Sequence, residues 1–384
     1  MRTKIYFSML LLGLLSCSSP GEKESKLSTK SNDEFQLFKI DTKAKPVSIF
    51  DLIEEVEIMR LEETEQSLLS SICCVYTTED RLIVPSGSDG NIYSFSKKGE
   101  FISKFRHVGN GPGEYEFISG FWTEGDTIFL VDINRRNLIS YDLEGNHLRS
   151  WKIPFDSNNF YSYGNGFVSD LNYSPYQDTL QFNILFLDEE LKVKKMANPY
   201  TSPLRLYMGS TLNTFRPYGK DLIFHRNTSD TVFLIDNSEI RSLLKFDFGA
   251  EWLWTEETIK NNPRTTPLIR ETSLVWWLTS YVGEKWIYLS YRTSLKEIDY
   301  VLIDRSSGAQ KAFRLNNNSS KYSMSPIKWE EDRLLVSFNS LDVAQLAKEL
   351  SSESLTFRQG TTLEKIESSE NPVLIWIKFK SNQR

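Results

Sequence analysis

The residues in this chain best suited to chemistry are cationic and aromatic. Arg106 and His107, the Arg135-Arg136 pair, Arg205, Arg226 beside His225, Arg264 and Arg292 all fall between apolar runs. A guanidinium forks onto carboxylate or phosphate with two parallel N–H bonds, so such a set suits an anionic ligand. Tyr207, Trp252 and Trp254 occur in the same kind of segment and offer flat apolar faces for sugar rings. A uronic-acid or phosphate-bearing glycan would meet both needs. The competing expectation is structural: each Arg pairs with a nearby acid, and the aromatics pack down their own loops.

Other chemistries are harder to assemble. His107, His147 and His225 show neither His-x₃-His nor His-Glu-x-x-His spacing, so no histidine-built metal site is expected. No Gly-x-Ser-x-Gly elbow exists for a serine hydrolase. Carboxylate pairs for glycoside hydrolysis could be drawn from many Asp and Glu, so no catalytic residue is assigned. No cofactor is implied, although a Ca²⁺ site of Asp oxygens from distant segments would leave no local motif. Gly109-Asn-Gly-Pro-Gly113 is glycine-dense, but a phosphate cradle leads into a helix, and Glu114-Tyr-Glu-Phe-Ile-Ser reads as a strand. That loop is therefore expected to be a turn needing positive φ.

These groups must be positioned by short strands. Of the 384 residues 40% are hydrophobic and 13% aromatic, a composition that suits half-buried strands. A formal charge of −6 argues against a nucleic-acid partner, and three Cys exclude a disulfide-dense scaffold. Ile72-Cys-Cys-Val-Tyr-Thr-Thr-Glu-Asp80 lies over Ile118-Ser-Gly-Phe-Trp-Thr-Glu-Gly-Asp126 at an offset of 46, and the same offset carries Phe95 onto Tyr141 and Gly99 onto Gly145. A repeat of that length holding about four strands is the mark of a propeller blade.

Weaker copies follow at Gly166-Phe-Val with Phe182-Asn-Ile-Leu-Phe-Leu, at Asp221-Leu-Ile-Phe with Asp230-Thr-Val-Phe-Leu-Ile, and at Lys285-Trp-Ile-Tyr-Leu with Asp299-Tyr-Val-Leu-Ile. Arg333-Leu-Leu-Val with Val373-Leu-Ile-Trp-Ile-Lys-Phe379 makes a sixth, lacking a fourth strand. Val56-Glu-Ile-Met-Arg-Leu61 alternates apolar and polar and is expected to supply it by pairing with the Val373 strand. The expected fold is an all-β, six-bladed β-propeller whose N-terminal strand closes the last blade.

The blade form Val131-Asp132, Leu138-Ile139, Tyr141-Asp142 and Gly145 resembles the NHL-like propellers. Val108-Gly-Asn-Gly-Pro-Gly-Glu-Tyr115, with Asn371-Pro372-Val-Leu, is similar to the six-bladed β-propeller lipoproteins of Bacteroidetes. The resemblance runs from about residue 35 onward. It implies an envelope protein of a family without a settled activity, and so brings architecture but no catalytic residues.

With strands ordered A to D outward from the channel, D-to-A and B-to-C connections share one face. The long connections, 199–211, 250–272 and 341–370, all belong to that class, and so do the candidate residues above. Long insertions in a compact domain are usually functional, which puts the expected binding site on that face. Residues 341–355 read as a helix with Leu341, Ala344, Leu346 and Leu350 on its apolar side. His147 is expected beyond an outer turn, away from the other two histidines. Cys73 and Cys74 are expected on the innermost strand of blade 1, one to each side, as free thiols. Adjacent Cα atoms stand about 3.8 Å apart, below the ~4.4–6.8 Å usual in disulfides.

The first residues read as an address. Arg2 and Lys4 precede an apolar run from Ile5 to Leu15, too short to span a bilayer, and Leu14-Leu15-Ser16-Cys17 resembles a lipobox with Cys17 as the acylated residue. Residues 1–16 are then a signal peptide, 17–34 a lipidated tether and 35–384 the propeller. Losing Arg2 and Lys4 takes the formal charge from −6 to −8. Ser18 after the Cys implies the bacterial outer membrane, with membrane contact through lipid only. The function expected is a non-catalytic binding module whose partner is an envelope protein or an anionic glycan. A glycan-active lyase or hydrolase in the same cleft is the alternative.

Overall fold

Each blade is a meander whose turns carry residues at positive φ. At the C-to-D turn, Gly99 has φ 83° and Gly145 φ 87°, and one further step of 46 brings Leu191 at φ 59°. A non-glycine there costs roughly 1–2 kcal/mol. Leu191 offsets it by burying its side chain, 3% exposed, in the core of blade 3. The same repeat places a β-bulge next to Ser94, Ser140 and Phe186, just ahead of these turns.

The computed structural model describes residues 34–87, 89–204, 213–261, 265–317, 320–351 and 353–381. It contains six sheets of four or five strands arranged as a six-bladed propeller, with one small extra hairpin. Blade 1 comprises Tyr76–Thr77, Arg81–Pro85, Ile92–Ser96 and Phe101–Phe105. Blade 2 comprises Gly120–Glu124, Thr127–Asp132, Asn137–Asp142 and His147–Lys152, in step with the sequence repeat. Blades 3, 4, 5 and 6 begin at Asn159–Tyr163, Phe215–Tyr218, Trp277–Val282 and Met324–Glu330. Apolar residues between adjacent blades form the core. Ile83, Ile92, Phe121 and Ile139, for example, join blades 1 and 2.

The closing strand is where the alternating pattern put it, displaced by a few residues. Ile53–Met59 runs antiparallel to Val373–Phe379, with Ile58 opposite Ile375 and Val56 opposite Ile377. The chain preceding it also joins the sheets. Gln36–Lys39 adds in parallel to the outer edge of blade 4, and Val47–Ser48 to that of blade 5. Leu355–Phe357, from the long connection of blade 6, covers the outer side of the closing strand.

The helix expected over 341–355 is shorter, and Leu341 falls off its apolar side while Leu346 and Leu350 stay on it. It spans Ser340–Glu349, with the Asn339 side chain accepting from the Leu341 amide at 3.1 Å. Leu341 is 70% exposed, whereas Val343 and Leu346 enter the core beside Ile49 and Ile366. The chain leaves the helix early because Leu355–Phe357 must extend to pair with the closing strand. Short helices at Glu256–Asn261, Thr265–Glu271 and Leu363–Glu367 were not expected from the sequence.

Ile58 is fully buried. Ile58→Ala should therefore lower stability by about 2–5 kcal/mol, seen as an earlier denaturant midpoint. Leu341→Ala should change it by less than about 0.5 kcal/mol. An unshifted midpoint for Ile58→Ala would refute closure through this strand.

Candidate functional site

The first strand of each blade faces the channel, and residues from all six line a cavity of about 360 Å³. Tyr76, Phe121, Tyr161, Tyr281 and Trp329 give it aromatic walls. Cys73, Cys74, Gly87, Ile118 and Asn213 come from D-to-A and B-to-C connections, while Pro217, Val282 and Trp329 stand at the A-to-B ends of their strands, so the cavity runs along the channel.

Among the described residues, two cations reach this cavity. Lys328 pairs with Glu330 at 2.9 Å and donates to Thr77 Oγ1 at 3.1 Å. Arg216, on the inner strand of blade 4, lies 4.5 Å over the ring of Tyr281 and donates through Nη1 to the Ser280 carbonyl. Among the described residues no carboxylate forms an ion pair with Arg216. Arg216 was not among the expected residues because it lies on a strand and not in a connection between strands. The signal was present in Phe215-Arg-Pro-Tyr218, just before the recognised strand Asp221–Phe224.

Cys73 and Cys74 both line the mouth, but they precede the strand Tyr76–Thr77 rather than lying on it. A bend replaces the expected strand alternation and sends both side chains the same way. Both thiols are free, with sulfurs 3.6 Å apart. The hydrogen bond from Cys74 lowers the Cys73 pKa to about 7, against an opposing effect of burial. The same bond, then burial, pushes Cys74 well above its ordinary value. Burial likewise raises the Tyr76 hydroxyl, which donates to the Phe121 carbonyl.

The sequence-nominated residues are spread over the rim and mostly have partners. Arg106 is exposed and donates to the Asp89 carbonyl at 2.8 Å. Arg135 lies near Glu116 and Asp132, at 3.8 and 3.9 Å, and donates to Asn110. Arg136 pairs with Asp156. Arg292 donates to the Leu295 carbonyl at 3.2 Å. Arg226 is buried against Asp170, donates to Asn183 at 3.0 Å and stacks over Tyr173, a bond network between blades 3 and 4. Trp252 stacks on Phe248, and Trp254 is buried with Nε1 donating to the Trp276 carbonyl at 2.7 Å. Arg205, Tyr207, Arg264 and Cys17 lie outside the described residues.

The histidines serve packing. His107 stacks on Tyr141 with its Nε2 at 2.8 Å from the Gly145 carbonyl. His147 meets the same tyrosine edge-on, so it lies close to His107 and not apart from it as expected. Blade twist brings the outgoing chain of blade 1 against the C-to-D turn of blade 2. His225 donates from Nε2 to the Ser229 carbonyl and accepts from Ser280 at Nδ1, and burial lowers its pKa to about 4, leaving a neutral ring at pH 7. In the glycine loop, Gly113 takes φ 70° as expected, while a side chain at Gly109 would meet the Glu114 carboxylate. No group of three or more His, Cys, Asp or Glu suited to a metal occurs among the described residues.

Fold and cavity together define a closed six-bladed β-propeller with a ligand-sized hollow in its channel. The chain belongs to the family described as a domain of unknown function (DUF4934), which it matches over residues 36–378. Its fold is similar to that of a Bacteroides fragilis NCTC 9343 protein, BF0058, provisionally described as exported, with a TM-score of 0.71 and 16% identity, over 91% of this chain and all (100%) of that one. It is also similar to a member of the DUF4221 family from Bacteroides vulgatus ATCC 8482, at TM-score 0.50 and 12% identity, over 86% of this chain and 97% of that one. No curated protein matches it.

Two outcomes follow from this geometry. Asp170→Asn strands a buried guanidinium and should cost about 3–5 kcal/mol in a denaturant titration; a loss below about 1 kcal/mol would contradict the buried pair. Alkylation of Cys73, followed by mass spectrometry, should rise with pH through about 7 as its thiolate forms. Cys74→Ala removes the bond responsible and should move that midpoint up toward the ordinary thiol range; an unmoved midpoint would exclude Cys74 as the cause.

Proposed function

We propose that this protein is an exported, lipid-anchored component of the bacterial envelope that binds an anionic ligand at the channel mouth on its long-loop face. Arg216 carries this reading. It is a guanidinium facing a cavity, with a carbonyl and an aromatic ring as neighbours and no carboxylate ion partner among the described residues. A carboxylate or phosphate supplies the bidentate acceptor that such a group lacks. The aromatic walls suit sugar rings or other flat apolar groups. An anionic glycan fits both, and an envelope protein presenting an acidic side chain fits the first.

The address rests on Leu14-Leu15-Ser16-Cys17, and the similarity to a Bacteroides fragilis protein provisionally described as exported agrees with it. Anchoring is through lipid at Cys17, and no helix among the described residues is long and apolar enough to cross a membrane. The alternative, a glycan lyase or hydrolase, finds less support. The described residues that line the cavity include no Asp or Glu to serve as an acid–base pair.

The test is calorimetric titration with uronate- and phosphate-bearing oligosaccharides. Arg216→Gln should weaken binding at least about 30-fold, the equivalent of about 2 kcal/mol. Arg135→Glu with Arg136→Glu should leave it nearly unchanged, since both side chains already have acidic neighbours. The reverse pattern would move the site to the outer rim, and detectable product formation would favour the enzyme.

A further inference from the structure

Anion binding at Arg216 does not call on the Cys73–Cys74 pair, which lines the same cavity. Two outcomes are open to neighbouring thiols: oxidation to a disulfide, or capture of a soft cation between them. The separation decides between them. A disulfide needs sulfurs about 2.05 Å apart and Cα atoms ~4.4–6.8 Å apart, whereas adjacent Cα atoms are held at about 3.8 Å. Starting from 3.6 Å, oxidation would have to pull the sulfurs together against the backbone. Cation capture requires no such movement. With metal–sulfur bonds of about 2.3 Å, a 3.6 Å bite corresponds to a sulfur–metal–sulfur angle of roughly 103°, close to tetrahedral.

We propose that Cys73 and Cys74 form a bidentate dithiolate site for a soft divalent cation of the Zn²⁺ and Cd²⁺ class, with its remaining coordination positions turned toward the channel cavity. Both sulfurs share the cavity side of the bend, and Cys73 is exposed there, so a cation can enter from the mouth. Two thiolates neutralise a divalent cation, which removes most of its repulsion from Arg216. Thiolate sulfur also selects soft metals over Mg²⁺ and Ca²⁺. Binding releases one proton from each thiol that was protonated, and no electron is transferred. The open positions are completed by solvent or by a donor atom of the anionic ligand, so the inference deepens the channel reading. The metal site itself does not require Arg216.

The experiment uses the full chain carrying Cys17→Ala, which leaves Cys73 and Cys74 as the remaining two of its three cysteines. The reduced state is established first by counting two alkylatable thiols. Titration with Cd²⁺ should then give sulfur-to-metal charge-transfer absorption that saturates at one ion per chain, and Zn²⁺ should compete it away. Cys73→Ser and Cys74→Ser should each weaken Cd²⁺ binding by about 10-fold or more and reduce the absorption per ion. Arg216→Gln should leave the Cd²⁺ stoichiometry at one, even where it abolishes oligosaccharide binding. Absence of the charge-transfer band with both thiols reduced, or a Cd²⁺ affinity unchanged by either serine variant, would overturn the proposal while leaving the anion reading intact.

Discussion

Everything in this structure depends on one pairing, that of Ile53–Met59 with Val373–Phe379. A blade buries apolar side chains on both faces, so an open row of six would leave two faces without a neighbour. The row would also leave the Val373–Phe379 strand as an unpaired edge, with its backbone groups free to recruit other chains. Closure removes both liabilities with a strand brought from the far end of the sequence. The cost is the entropy of a long loop, which grows only slowly with length. Other short strands strengthen the ring: Gln36–Lys39 and Val47–Ser48, just ahead of the closing strand, clip onto blades 4 and 5, and Leu355–Phe357 covers it from outside.

Closure also creates the site. A cavity lined by six inner strands exists only while all six are held around one axis, and no single blade contains enough of it to bind anything. Arg216 of blade 4 and the Tyr281 ring beneath it come from different blades, and the two cysteines enter from the connection between closing strand and blade 1. The cations differ in whether a carboxylate reaches them. On the rim, Arg135 and Arg136 have carboxylates within reach and Arg226 is consumed by a buried pair. In the channel, Lys328 has its carboxylate while Arg216 rests on a carbonyl and a ring.

Much of the fold was legible because it is periodic. The 46-residue offset repeated every strand of blades 1 and 2, and glycine marked the positive-φ turns at 99 and 145. The closing strand announced itself by alternation. What escaped was short or aperiodic: Gln36–Lys39 has only four residues in which to show a pattern, and Cys73 sits in a bend ahead of a strand of only two residues. Helical spacing put Leu341 on the apolar side with Leu346 and Leu350, but it sits in the first turn beside the cap at Asn339, where it is exposed. The rim arginines were visible as charge, whereas partners such as Asp156 of Arg136 and Asp170 of Arg226 lie 20 and 56 residues away in the chain, where sequence proximity does not reveal them. Arg216 stayed hidden for the opposite reason, since on an inner strand it looks like any half-buried position.

The central claim, that the ligand sits in the channel and not on the rim, is tested most directly by hydrogen exchange with and without a saturating anionic oligosaccharide. Protection should appear together in Tyr76–Thr77, Phe215–Tyr218 and Trp277–Val282, three segments distant in sequence that meet only around the channel. Protection confined to the segments around Arg106 and Arg135, with these inner strands unchanged, would contradict it.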